Sequence, residues 1–247
     1  GFYAGLRMTA PDMRLAADAF YDGTNLMDIR IVSTMGLDAE DIDEISKVDG
    51  VEDVVAAYET DVVAELDGDP YVMRVHSLPY EAQVSQRMDE VMVTYDDVSS
   101  LNKLVLEKGT WPRANNECIL SADRIMNKPL SIGDKLTVTE CSTGLDDTLR
   151  EREYIIVGLA HSSYYSASTN MGSTTLGSGY IQQFMYVPES DFDADFPITE
   201  AFVTVEGAKD FISGSFEYQS RIDEVMKELF GIEEVREQER LRTIKDK

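Results

Sequence analysis

The chain has 247 residues, 43% of them hydrophobic and 9% aromatic. That is enough apolar material for one large domain or two packed lobes, and it argues against a globally disordered chain. Its 47 acidic and 22 basic residues leave a formal net charge of -25, a surface that repels nucleic acid and anionic lipid headgroups and serves solubility.

From the N-terminus, residues 11–22 read as a helix. Pro11 suits its first turn, and Met13, Ala17, Phe20 and Tyr21 fall on one face. Leu26 to Thr34 reads as a strand. A second helix begins near Ala39, with Asp38 as N-cap, Asp41 in the first turn, Ile42 and Ile45 facing inward and Asp49-Gly50 ending it. Val54 to Leu66 alternates as one strand, Asp67-Gly68-Asp69-Pro70 is a turn, and Tyr71 to Leu78 returns to complete a hairpin.

The middle of the chain changes character. Short strand-like runs (Glu117 to Leu120, Lys135 to Thr139, Glu153 to Gly158, Phe184 to Val187) alternate with polar, glycine-containing loops. Ser162 to Gly179 reads as a long loop or lid. Glu200 to Val205 is again a strand. Tyr218 to Phe230 is a helix whose Ile222, Val225, Met226, Leu229 and Phe230 form an apolar stripe. That stripe needs a partner, and the N-terminal strands supply the simplest one. The fold class expected is therefore α+β: a ferredoxin-like lobe built from both chain ends (1–83 and 198–232), an inserted β-rich lobe (84–197), and a charged helical tail (233–247).

No catalytic, cofactor or metal site emerges from the motifs. His76 and His161 are the two histidines. His161-Ser162 lacks an orienting acid, and neighbours on a strand point to opposite faces, so no nucleophile–base pair forms. His76 reads as a solvent-side strand residue. Gly172 to Gly179 has Ser178 where a phosphate loop needs lysine. Asp191-Phe192-Asp193-Ala194-Asp195 opens like a calcium loop, but Phe196 and Phe202 replace its glycine and its final glutamate. Cys118 and Cys141 lie on strand-like runs that can meet across a sheet, with buried free thiols the favoured expectation. Tyr164 and Tyr165, in a polar stretch, are the candidate partner contacts, since tyrosine is common at interfaces.

Several segments, in order, resemble the periplasmic core domain of MacB-like, FtsX-type ABC-transporter permeases. Met27 to Thr34 with Gly36-Leu37 and Asp41-Ile42 resembles that family's first strand–helix unit. Val48-Asp49-Gly50-Val51 is similar to its turn into the second strand. Leu106 to Pro112 followed by Asn116 to Leu120 resembles the segment opening the inserted lobe, with Lys108-Gly109-Thr110 departing from the usual Glu-Gly-Arg. Ile132 to Val138 and Tyr154 to Leu159 resemble two later strands. The likeness runs over roughly residues 10–232 and rests on order and spacing.

The resemblance implies an extracytoplasmic domain at the cell membrane, lying between two membrane helices of a permease. ATP hydrolysis would sit on a cognate cytoplasmic subunit or domain, and a second permease copy would be the other partner. No cofactor is implied. No run of about 18 apolar residues occurs, so membrane attachment is expected through segments before residue 1 and after residue 247. The isolated domain is expected to be a non-catalytic monomer that binds no nucleic acid. The alternative is a stand-alone cell-surface binding or adhesion module.

Overall fold

A computed structural model describes residues 14–78, 101–122, 130–165 and 171–245, with side chains described as far as residue 232. The chain divides into two units, one formed by Gly1–Ala56 with Ile198–Lys247 and the other by Ala57–Pro197.

The first unit begins with helix α1 at residues 14–23. Strand β1 (Ile29–Leu37), helix α2 (Ala39–Ser46) and strand β2 (Val51–Ala57) follow, and the unit resumes with β10 (Ile198–Val205) and α3 (Phe216–Lys245). Asp38 caps α2: its side chain accepts the Asp41 amide, and the Asp41 carboxylate accepts the Asp38 amide, both at 2.9 Å. This reciprocal pair satisfies two donors that a helix start leaves open.

The three strands lie in the order β1-β10-β2. Numbered within the unit, this is 1-3-2, the order of a ferredoxin-like β-α-β-β-α-β sheet. Among the described residues the fourth strand's place in sequence is taken by α3, which runs on for 30 residues. The core joins Ile222, Val225 and Leu229 of α3 to Ile29, Ala201, Val203 and Val205 of the sheet and Ile45 of α2. The apolar stripe read from sequence has thus found the sheet. Phe230, counted in that stripe, is instead 56% exposed.

The second unit holds β3 (Glu59–Leu66), β4 (Asp69–Leu78), β5 (Leu104–Gly109), β6 (Glu117–Ser121), β7 (Lys135–Cys141), β8 (Glu153–Ser162) and β9 (Gln183–Pro188). They form a seven-stranded sheet, β5-β8-β6-β9-β4-β3-β7, with a further β7–β8 pairing. That pairing closes β8, β6, β9, β4, β3 and β7 into a small barrel, with β5 on the rim of β8. Closure removes exposed strand edges. Alternate residues point inward and fill the interior: Val62, Ala64 and Leu66; Tyr71, Met73 and Val75; Cys118 and Leu120; Leu136 and Val138; Tyr154 and Ile156; Met185 and Val187.

The structure differs from the sequence reading at one hairpin. Val54 to Leu66 is not one strand. It breaks at Tyr58, whose ring stacks on Phe192 at 5.3 Å. β3 and β4, expected beside the N-terminal helices, belong to the barrel. The hairpin forms, but its turn is shorter than the expected Asp67-Gly68-Asp69-Pro70: Asp69 and Pro70 already belong to β4, and Asp67 and Gly68, which alone connect the strands, both have positive φ, 53° and 85°. That is the twist a two-residue connection needs, and glycine adopts it without a Cβ penalty. The tail read as 233–247 continues α3 without a break to Lys245.

Candidate partner-contact site

Residues on the barrel's outer face alternate with those that fill it, and one patch of this face brings together three of the residues singled out above, His76, Tyr164 and Tyr165. The hairpin register places Glu59 opposite His76 and Asp61 opposite Arg74. The parallel β4–β9 pairing then sets Tyr186 beside His76 and Phe184 beside Arg74. A short 3-10 turn, Ser163–Tyr165, continues β8 and brings Tyr164 and Tyr165 over these strands.

The rings interlock. His76 stacks on Tyr186 at 4.9 Å and meets Tyr164 and Tyr165 edge-on at 5.4 and 5.6 Å. Tyr165 stacks on Phe184 at 5.2 Å and makes an edge contact with Tyr164 at 4.8 Å. Offset and edge-on geometries of this kind favour aromatic pairs beyond simple burial.

A polar chain threads the patch. The Arg74 guanidinium donates to both Asp61 carboxylate oxygens, at 2.8 and 3.2 Å, and its Nε lies 3.2 Å from Glu59 Oε1. Burial alone would lower the Arg74 pKa; the Asp61 hydrogen bond and the Glu59 and Asp61 charges outweigh it and raise it. Glu59 Oε2 lies 3.7 Å from His76 Nδ1, and His76 Nε2 lies 2.5 Å from the Tyr165 hydroxyl. Burial, then the neighbouring tyrosines, hold the Tyr165 pKa well above the usual value. The hydroxyl therefore stays protonated and within hydrogen-bond distance of His76 Nε2.

Tyr164 and Tyr165 are both half-buried. Tyr165 is committed to His76 and Phe184, and Tyr164 rests on top of the cluster. The arrangement fixes the two rings rather than activating either of them. His76 differs from expectation: it is buried among tyrosines, not solvent-facing. The cause is the ring cover on that face: Tyr164 and Tyr165 of the 163–165 turn and the Tyr186 side chain of the neighbouring β9. The signal for the Glu59–His76 and Asp61–Arg74 pairs was present in the turn, because counting outward from Asp67-Gly68 gives this register.

The remaining motifs disperse. His161 turns to Glu107, with Nε2 3.0 Å from Oε2, while the next residue, Ser162, is buried on the other face of β8. The three aspartates of 191–195 do not converge. Asp191 is fully buried and accepts hydrogen bonds from Tyr154 and the Glu151 amide, whereas Asp193 accepts the Asp195 amide. Within Gly172 to Gly179, the Thr174 amide donates to the Gly179 carbonyl and the Gly179 amide to the Leu176 carbonyl, so these backbone groups close a local turn. Cys118 and Cys141 are free thiols, Cys118 inside the barrel.

The described residues thus define an α+β protein in which a closed β-barrel is inserted into a unit of ferredoxin-like strand order. No protein-family model and no curated protein matches the chain. Among solved structures it is similar to the extracellular domain of the noncanonic ABC-type transporter YknZ from Gram-positive bacteria, with a TM-score of 0.37, 16% identity, and coverage of 70% of this chain and 75% of that one. It is also similar to the periplasmic region of MacB from Actinobacillus actinomycetemcomitans, with a TM-score of 0.36, 12% identity, and coverage of 81% and 76%. No described helix is long and apolar enough to cross a membrane.

Proposed function

We propose that this chain is the extracytoplasmic domain of an ABC-transporter permease of the FtsX/MacB-like kind, standing at the outer face of the cell membrane. One observation carries the reading. The strand order β1-β10-β2 draws on both chain ends, and the barrel enters between the second and third strands of that order. This is the layout implied by the sequence segments that resemble the family. In such an arrangement the lobe built from the chain ends takes up movement of the membrane helices and the inserted lobe presents it to an exported substrate or partner protein. Tyr164 and Tyr165 supply the partner contact. The chain is not itself an enzyme; a cognate ATPase subunit or domain hydrolyses ATP, and a second permease copy completes the transporter. The excised domain is a monomer, because its charge of -25 opposes self-association at low salt.

Topology reporters test this reading. Alkaline phosphatase fused into the full-length protein at the exposed Glu140 position is expected to be active, and a cytoplasmic reporter at the same place inactive. The full coding sequence is expected to show one apolar helix before residue 1 and three or more after residue 247. A signal peptide with a single anchor would instead identify a surface adhesin and overturn the proposal.

A further inference from the structure

The end of the barrel carries a group of buried polar atoms that partner contact does not use. Asp191 follows β9 in a 3-10 turn and is fully buried. Its backbone carbonyl accepts the Arg150 amide at 2.8 Å, and the Thr148 carbonyl accepts the Asp193 amide at 2.9 Å. With the Leu149–Phe192 bridge, these bonds tie residues 148–151 to 191–193. Leu149, Phe192 and Phe196 close the core beneath them.

The Asp191 side chain adds to the tie. Oδ1 accepts the Glu151 amide at 3.0 Å. Oδ2 lies 2.5 Å from the Tyr154 hydroxyl, and that hydroxyl also lies 3.0 Å from the Glu151 carbonyl oxygen. Tyr154 has one hydrogen and two acceptors within reach. If Asp191 is ionised, the hydrogen goes to Oδ2 and the Glu151 carbonyl loses its tyrosine donor. If Asp191 is protonated, Oδ2–H donates to the tyrosine oxygen and Tyr154 donates to the Glu151 carbonyl, so every polar atom of the set is paired. A fully paired neutral network is favoured over a buried charge.

We propose that Asp191, Tyr154 and the Glu151 carbonyl form a one-proton relay that latches residues 148–152 to 191–193 across the barrel end, tight when Asp191 is protonated and loosened when it ionises. The surrounding charges bear on both states. Burial raises the Asp191 pKa to about 7; the Tyr154 and Glu151-amide hydrogen bonds lower it, the Glu151 charge raises it and the Arg150 charge lowers it. The Cys118 thiol on β6 faces the same pair and is kept protonated, its pKa raised by burial and by Glu117 and Asp191. Burial and Asp191 likewise raise the Tyr154 pKa, which keeps its hydroxyl a donor. A carboxyl whose pKa is higher when latched than when released is held most firmly below its released value, and the latch weakens as pH rises toward the latched value.

Amide hydrogen exchange on the intact chain tests the latch, with β3–β4 amides as the internal reference. Opening of 148–152 and 191–193 should rise about tenfold per pH unit between pH 5 and pH 7 and level off above. Asp191→Asn should abolish that slope without breaking the network: its carbonyl can accept the Glu151 amide, and its NH2 can donate to Tyr154, which then donates to the Glu151 carbonyl. A flat wild-type profile, or an equal slope in Asp191→Asn, overturns the proposal. Carbon NMR of the Asp191 carboxyl provides a second measurement. Its titration midpoint should shift in Tyr154→Phe, which removes the hydroxyl that pairs with Asp191 in both protonation states; an unchanged midpoint removes Tyr154 from the relay.

Discussion

Gly109 and Gly68 share a backbone conformation, φ +85° at each, but not an environment. Gly68 turns the β3–β4 hairpin and has nothing within 4 Å of where a Cβ would sit. Gly109 ends β5 opposite Gly158 of β8, and a Cβ there would lie 2.0 Å from the Val157 carbonyl oxygen. That oxygen accepts the Thr110 amide at 2.9 Å. Alanine at Gly68 therefore suffers only the left-handed conformation, about 1–2 kcal/mol. Alanine at Gly109 suffers the same cost and must also push β5 away from β8. Losing the Thr110 hydrogen bond adds about 1 kcal/mol, and displaced packing adds to it, for a total of about 3 kcal/mol or more. Urea unfolding followed by the single tryptophan measures the difference, because Trp111 packs against the outer-face cluster of the barrel unit. The expected result is a midpoint for Gly109→Ala well below that of Gly68→Ala, at similar m-values. Equal midpoints would refute the close approach of β5 to β8.

The other predictions concern single side chains. Asp38→Ala removes the capping box of α2 and should cost about 1 kcal/mol in thermal unfolding; Asp38→Ser should recover most of it. Ile222→Ala opens a cavity between α3 and the three-stranded sheet and should cost about 3 kcal/mol, read by denaturant midpoint. Cys118 should stay unmodified by a thiol reagent at neutral pH while the partly exposed Cys141 reacts, with both reacting in denaturant. A native count of two fast thiols would contradict the placement of Cys118 inside the barrel.

Local structure was legible wherever a residue's neighbours in sequence are also its partners. Asp38 and Asp41 cap a helix by themselves. Asp67-Gly68 makes a hairpin because its backbone can twist the right way, and the register of Glu59 with His76 follows from that turn. The strands of the insert were visible as short alternating runs, except β5 (Leu104–Gly109), of which only Leu106 onward was noted, within the segment that resembles the opening of the inserted lobe.

What the chain's own order did not reveal was which strands share a sheet. Val54 to Leu66 alternates almost without interruption, so nothing local marks Tyr58 as the point where the chain leaves one sheet for another. The break is set by partners distant in sequence: β7 and β4 pair with β3, and Phe192 stacks on Tyr58. His76 was misread for the same reason. A period-two pattern distinguishes the two faces of a strand, but in this barrel one face of β4 meets the filled interior and the other, at His76, is covered by the 163–165 turn and the Tyr186 ring. Asp191 shows the limit most clearly. As sequence it belongs to an acidic run that resembles a solvated turn, and only the closure of the barrel buries it against Tyr154, whose hydroxyl arrives from β8. Helix caps and tight turns are decided by forces acting over a few residues of chain, whereas burial and sheet membership are decided by contacts between segments far apart in sequence, and those contacts exist only once the chain has folded.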